Sequence, residues 1–225
     1  MNKRTAFLIT AVLLYVLTMF LIFPFPHQTP FGTQIFKGLG IPAYSNMEHE
    51  MGFHYVGITA VVFLLISLIL FHQLLPKWNG RVVLTCILFF LLGPLGLINV
   101  YQTFIASGVH AISYEKEWSE CTYELNEAEM VAHIECILAL ENKGRSDVHF
   151  EIELVERFYF SHDAKTYSYL NDLGPHLVEL YSKDKKFVRL EGQFNVSNEE
   201  NYIFSGQSNG IDVIIRDDAG RKRKL

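Results

Sequence analysis

Three apolar blocks open the chain, and a region of two-residue alternation follows them. Residues 5–23, 53–75 and 82–104 run for 19, 23 and 23 positions without Asp, Glu, Lys or Arg. At about 1.5 Å per helical residue, each reaches across the roughly 30 Å hydrocarbon layer of a bilayer. Pro24 and Pro26 close the first block and Pro76 closes the second. The 76–81 stretch, Pro-Lys-Trp-Asn-Gly-Arg, is a tight turn by composition, so the second and third spans are expected as an antiparallel pair. From Gly108 onward the period is two, as strands require. In 131–140, Ala132, Ile134, Cys136, Leu138 and Leu140 take one face against His133 and Glu135. A turn at 141–147 follows, and then Val148, Phe150, Ile152 and Leu154 oppose His149, Glu151 and Glu153. These two runs predict a pair of antiparallel strands with one buried face each. Further strands are expected at 109–114, 120–125, 167–170, 187–196, 202–204 and 211–215. In 187–196, Val188, Leu190, Phe194 and Val196 share a face. A short helix is expected near 175–182, where Leu177, Leu180 and Tyr181 have helical spacing. The expected fold is membrane α plus soluble β: three transmembrane helices in residues 1–104, then an antiparallel β-sandwich in 105–225.

The run Leu138-Ala-Leu-Glu-Asn-Lys-Gly144, followed by the alternating Val148, Phe150, Ile152 and Leu154, resembles immunoglobulin-like domains attached to bacterial membrane proteins. The resemblance covers about half the chain. It implies an immunoglobulin-like sandwich and no activity.

Half of the 225 residues are hydrophobic, mean hydropathy is +0.18 and the formal net charge is −5. Before residue 105 there are five Lys+Arg and two Asp+Glu, for +3; from 105 onward there are fourteen and twenty-two, for −8. A single soluble globule is excluded by the spans, and a nucleic-acid binder by the confinement of basic clustering to the last few residues. Lys3 and Arg4 before the first block invite a signal-peptide reading. That apolar core exceeds the usual length of such segments, however, and Phe-Pro-Phe-Pro-His follows it with no small-x-small site, so a retained anchor is expected. Lys3, Arg4, Lys77 and Arg81 mark their short segments as cytoplasmic. Three crossings then place the β-rich part outside, in a multi-pass protein of the cell membrane. The basic residues at 221–224 end a long domain, and long domains translocate largely regardless of charge.

No ionisable residue of the Asp, Glu, Lys or Arg type lies in a span, which disfavours a pump or proton-coupled transporter. Thr10, Tyr15, Thr18, Thr59, Ser67, Thr85, Cys86 and Asn99 are expected in helix–helix hydrogen bonds, and Gly93-Pro-Leu-Gly96 at a packing kink. Glu48, His49, Glu50 and His54 form one polar cluster. If span two begins early on a helix, Glu50 and His54 share a face and could hold a metal. His49 and His54 are five apart, about 140° around a helix, so the zinc-protease spacing is not met. No cofactor, no metal and no catalytic residue is expected; His49, Glu50 and His54 are what a metal-binding alternative would use.

Cys121 and Cys136 are the only cysteines outside the spans. If they face each other across a hairpin, Tyr123 faces Ile134 and Leu125 faces Ala132. One register then satisfies both hydrophobicity and sulfur pairing, and a disulfide is expected. It would require the oxidising exterior. Ser161-His162-Asp163 is a polar turn, since a triad needs converging side chains. Residues 205–210 read as a hairpin loop, and Asn195-Val-Ser197 matches a glycosylation acceptor. The histidines at 110, 133, 149, 162 and 176 are scattered, with His133 and His149 facing solvent. Glu135, Glu151 and Glu153 are expected on exposed faces of neighbouring strands, and acidic residues crowd 115–129. Arg221, Lys222, Arg223 and Lys224 are candidates for contact with anionic lipid or wall polymer. The expected function is non-enzymatic: a membrane protein of the cell envelope, acting as accessory, scaffold or sensor. Its expected partners are membrane lipid and another protein, with no nucleic acid. A metal-binding protein or enzyme built on 48–54, or a transporter accessory subunit, are the alternatives.

Overall fold

The computed structural model describes residues 2–27, 29–47, 51–75, 79–156, 165–197 and 204–225. By internal contacts the chain divides into two compact units, Met1–Ile98 and Asn99–Leu225.

In the first unit, α1 (Lys3–Ile22) starts at Asn2, whose side chain accepts from the Arg4 amide. Pro30 precedes the short α2 (Phe31–Gly38). Strands β1 (Tyr44–Asn46) and β2 (Met51–His54) pair antiparallel before α3 (Tyr55–Leu74). Helix α4 (Asn79–Phe104) contains Pro94 and runs on past the end of this unit. Three helices are long and apolar enough to cross a membrane: Lys3–Ile22, Tyr55–Leu74 and Gly80–Phe104. The close packing partner of α3 is α1, where the turn-like composition of 76–81 pointed to the following span. The reason is side-chain size. Ala11 and Thr18 on α1, and Ala60 and Ser67 on α3, recur at seven residues and are all fully buried. Two turns of helix bring each pair onto one face, and small residues let the backbones approach. Ser67 Oγ donates across this seam to the Ala11 carbonyl at 2.9 Å. Tyr15 Oη donates to the Cys86 carbonyl on α4 at 2.7 Å. Thr10 and Thr18 depart from the expectation of interhelical bonds, since their hydroxyls donate back to Ala6 and Leu14 within α1.

In the second unit all pairings are antiparallel. A 3₁₀ turn, Gly108–Ala111, leads into β3 (Ile112–Tyr114), and another, Lys116–Trp118, leads into β4 (Glu120–Asn126). Then come β5 (Val131–Asn142), β6 (Val148–Val155), a 3₁₀ segment Tyr167–Leu173, and β7 (His176–Leu180). Strands β8 (Lys185–Asn195), β9 (Ser205–Asn209), β10 (Asp212–Asp217) and β11 (Lys222–Lys224) complete the unit. One sheet has the order β11-β10-β6-β7. In the other, β5 is flanked along its length by β8 and on the opposite edge by β3 and β4 in turn, with β9 beyond β4. Alternate residues of both sheets enter one buried cluster, including Ile134, Leu138 and Leu140 of β5, Phe150 and Ile152 of β6, and Ile215 of β10.

The alternation located β5 and β6 but not their neighbours. They belong to different sheets, so they are not the antiparallel pair that their adjacency suggested. Each has an apolar inner face, and that pattern is the same whether two strands share a sheet or face one another across a core. Glu135 therefore does not neighbour Glu151 and Glu153. The expected helix near 175–182 is instead β7, which buries Val178 and Leu180 alternately and leaves Leu177 76% exposed. The expected strand at 167–170 is 3₁₀, and only 112–114 of the expected 109–114 strand is extended. Ser205–Asn209, expected as a loop, pairs with β4; all five of its residues are small or polar, so no alternation betrayed it. Residues 202 and 203 lie outside the described residues, as do Ser161, His162 and Asp163.

Candidate functional site

The basic residues at 221–224 were the sharpest candidates for contact with an outside partner, and the structure draws three of them into internal bonds. Asp217 ends β10 and holds the turn that follows: Oδ1 accepts from the Ala219 and Arg221 amides at 3.1 and 3.0 Å. Its Oδ2 accepts from Arg221 Nε at 2.8 Å and from the Val109 amide at 3.4 Å. Arg221 Nη1 also donates to Ser107 Oγ at 3.0 Å. Gly108 makes this approach possible. Its φ is +58°, and a Cβ there would fall on the Arg221 guanidinium and the Asp217 carboxylate.

Strand β11 alternates, and the alternation turns Arg223 inward, where it is 7% exposed. Its Nη1 donates to the carbonyls of Val109 and His110, each at 3.2 Å, and of Ile112. Burial lowers the Arg223 guanidinium to about 10, so it stays charged at neutral pH. Gln102, in the last turn of α4 and 3% exposed, donates to the same His110 and Ile112 carbonyls at 3.2 and 3.0 Å. Lys224 Nζ stands 3.7 Å from Asp212, which Lys116 also meets at 2.7 Å. Lys222 is exposed. A buried, fully engaged Arg223 cannot reach lipid, so the expected four-residue basic patch is reduced to its exposed members. Sequence reading missed Gln102, Asp212 and Asp217; the signal it had was the period-two placement of Arg221 and Arg223 in a run that looked like a tail.

Gln102 and Arg223 share acceptors, so their effects should not add. Gln102→Leu and Arg223→Met should each cost about 2 kcal/mol, and the double variant about 1 kcal/mol more than their sum. Urea titrations of the detergent-solubilised chain, followed by circular dichroism of the β signal, measure this. Strict additivity would show that the two donors do not back each other up.

Cys121 and Cys136, both buried, are directly opposite in β4 and β5 and joined through their sulfurs. Tyr123 faces Ile134 and Leu125 faces Ala132 in the same register. Cys86 is a free thiol.

Glu48, His49 and Glu50 lie outside the described residues. His54 closes β2 and directly precedes α3, and residues 51–54 are extended where the metal alternative supposed an early start to the helix. The His54 ring stacks on Tyr44 at 4.7 Å, and Nε2 lies 3.5 Å from Oγ1 of the buried Thr33. Among the described residues no group of three His, Cys, Asp or Glu could hold a metal ion. Asn195 Oδ1 accepts from the Ser197 amide at 2.9 Å and from its hydroxyl, so the acceptor motif folds on itself as an Asx turn. His133 and His149 are exposed, His149 standing 3.4 Å from Glu179. Glu135 meets Arg189 at 2.9 Å across β5 and β8. No protein-family model, curated protein or solved structure matches the chain.

Proposed function

We propose that this is an integral membrane protein of the cell envelope that crosses the bilayer three times and displays an immunoglobulin-like sandwich on the outer side. The sandwich is non-catalytic. It recognises a protein or envelope component, and the molecule works as an accessory, scaffold or sensor subunit. The observation that carries this reading is the succession along one chain of three span-length apolar helices and a β unit whose two cysteines face each other in adjacent strands. Disulfides persist in oxidising compartments, which fits an exported β unit. The sandwich is supported by two sheets feeding alternate residues into one core. Recognition is supported by Trp118 and Phe187, large apolar side chains that stand 66% and 57% exposed on the β unit, as interface anchors do.

Topology reporters test the sidedness on which the proposal depends. A periplasm-active phosphatase fused after Leu225 should be active and one fused after Trp78 inactive, with the reverse for a cytoplasm-active fluorescent reporter. A cytoplasmic C-terminal fusion would overturn the envelope role.

A further inference from the structure

The described part of the connection between α1 and α3 packs against the ends of those helices and exposes Leu39, Ile41, Met47 and Phe53 beside the polar Gln34, Lys37, Ser45 and Asn46. Leu21 of α1, Ala43 of the connection, and Val56 and Ala60 of α3 form one buried cluster, with Ile35, Phe36 and Tyr44 packed around it. Gly32 brings α2 so close to α1 that a Cβ would meet the Leu21 carbonyl and the Val56 side chain. The Tyr55 amide donates to the Ala43 carbonyl at 2.9 Å, closing the β1–β2 pair onto the start of α3. The described α2 and β1–β2 parts of the segment are therefore held at the helix ends.

Its surface is not that of a loop in water. The turn after α2 reads Leu39-Gly40-Ile41-Pro42, with Gly40 at φ +71°. Turn positions exposed to water are ordinarily polar, yet Leu39 is 68% and Ile41 45% exposed here. Phe53 on β2 is 73% exposed, and Tyr55 and Ile58, which follow it in the first turn of α3, are 39% and 49% exposed. Between residues 24 and 54 the charged residues are Lys37, Glu48 and Glu50, and the two acidic ones stand together in sequence. Aromatic and aliphatic side chains with few charges, at the ends of apolar helices, are the composition of a segment lying at the lipid–water boundary.

We propose that the described part of this connection, residues 29–47 and 51–54, forms an interfacial cap that lies in the headgroup–acyl boundary and inserts Leu39 and Phe53 among the acyl chains. The proposal rests on the reading of α1 and α3 as membrane spans and deepens it: the same end of the molecule holds lipid laterally as well as being crossed by it. Exposed apolar residues run on in sequence from Phe53 to Tyr55 and Ile58 of the span-length α3, which selects lipid over a protein partner as the occupant.

The test uses single-tryptophan variants of the full chain. Leu39→Trp, Phe53→Trp and Leu65→Trp are each made with Trp78 and Trp118 replaced by Phe, and reconstituted into phosphatidylcholine–phosphatidylglycerol vesicles containing brominated lipid. Leu39 and Phe53 are exposed, so the new rings displace no packing, and circular dichroism in detergent verifies each fold. Bromine near the carbonyl end of the chains should lower emission of the Leu39→Trp and Phe53→Trp proteins about twofold, more than bromine near the chain ends. The Leu65→Trp protein, labelled in mid-α3, should show the opposite preference. Iodide-accessible emission from positions 39 and 53 that lipid bromine leaves untouched, alongside quenching at 65, would overturn the cap and leave the spans standing. Absence of lipid quenching at all three positions would overturn the spans as well.

Discussion

Asn142→Asp should unfold the β unit. Asn142 is fully buried at the end of β5, and its amide joins the ends of both sheets. Nδ2 donates to the carbonyls of Ser146, Leu180 and Tyr181 at 2.9, 3.1 and 3.1 Å, and Oδ1 accepts from the Gly144 amide at 2.9 Å. Two amide hydrogens thus serve three carbonyls, at the point where the chain leaves one sheet for β6 in the other and beside the end of β7. An ionised Asp there turns an oxygen toward three carbonyl oxygens, and a protonated one offers a single hydrogen where the amide offers two. The expected loss is about 4 kcal/mol or more, comparable with the whole stability of a domain at the low end of the ordinary range of about 5–15 kcal/mol. Asn142→Ala removes the same bonds without adding a repelling oxygen, and should cost about 2–3 kcal/mol. Urea titration of the full chain in detergent, read by circular dichroism with limited proteolysis in parallel, measures both. An Asp variant as stable as the wild type would show that the amide does not hold the crossover.

Removing the sulfur link should also destabilise the β unit. Without reductant, denatured wild-type protein should take up one equivalent of alkylating agent, at Cys86, and after reduction three, at Cys86, Cys121 and Cys136. The link closes a short loop, with the cysteines 15 apart in sequence. In the chain-entropy account this contributes about 3 kcal/mol by restricting the unfolded chain. Cys121→Ala/Cys136→Ala should lower the urea midpoint accordingly, reductant should lower that of the wild type by a similar amount, and reductant should leave the double variant unchanged. Three alkylatable cysteines before reduction would remove the disulfide from the account. Both predictions concern the interior of one β unit, because its core is spread over many short strands and depends on a few cross-links between them.

The register of β4 on β5 was legible because two independent patterns met there. Apolar residues alternate on both strands, and the only two cysteines outside the spans fall on the same faces. A shift of β4 by one residue would turn Cys121 and Tyr123 to solvent and away from Cys136 and Ile134 on β5. The strand identity of β7 was not legible, because Leu177, Leu180 and Tyr181 fit a helical period as well as Val178 and Leu180 fit a strand period. Its pairing with β6 decides between them by supplying backbone partners. Asn142 was equally silent: a polar residue at the end of an apolar run reads as the start of a turn, and its three acceptors lie up to 39 residues away.

The three span-length helices, the change of period at the start of the β unit and the facing cysteines follow from the order of residue types alone, since chain length against bilayer thickness and side-chain alternation are local properties. Which helix packs on α3, which sheet receives β6, and whether Arg223 meets solvent or backbone depend on groups distant in the chain. Small-residue faces on α1 and α3, the crossover tied by Asn142, and the carbonyls gathered by Arg223 and Gln102 come together only on folding. A residue's chemistry states what it can bond; burial and the partners that the fold brings to it settle what it does bond.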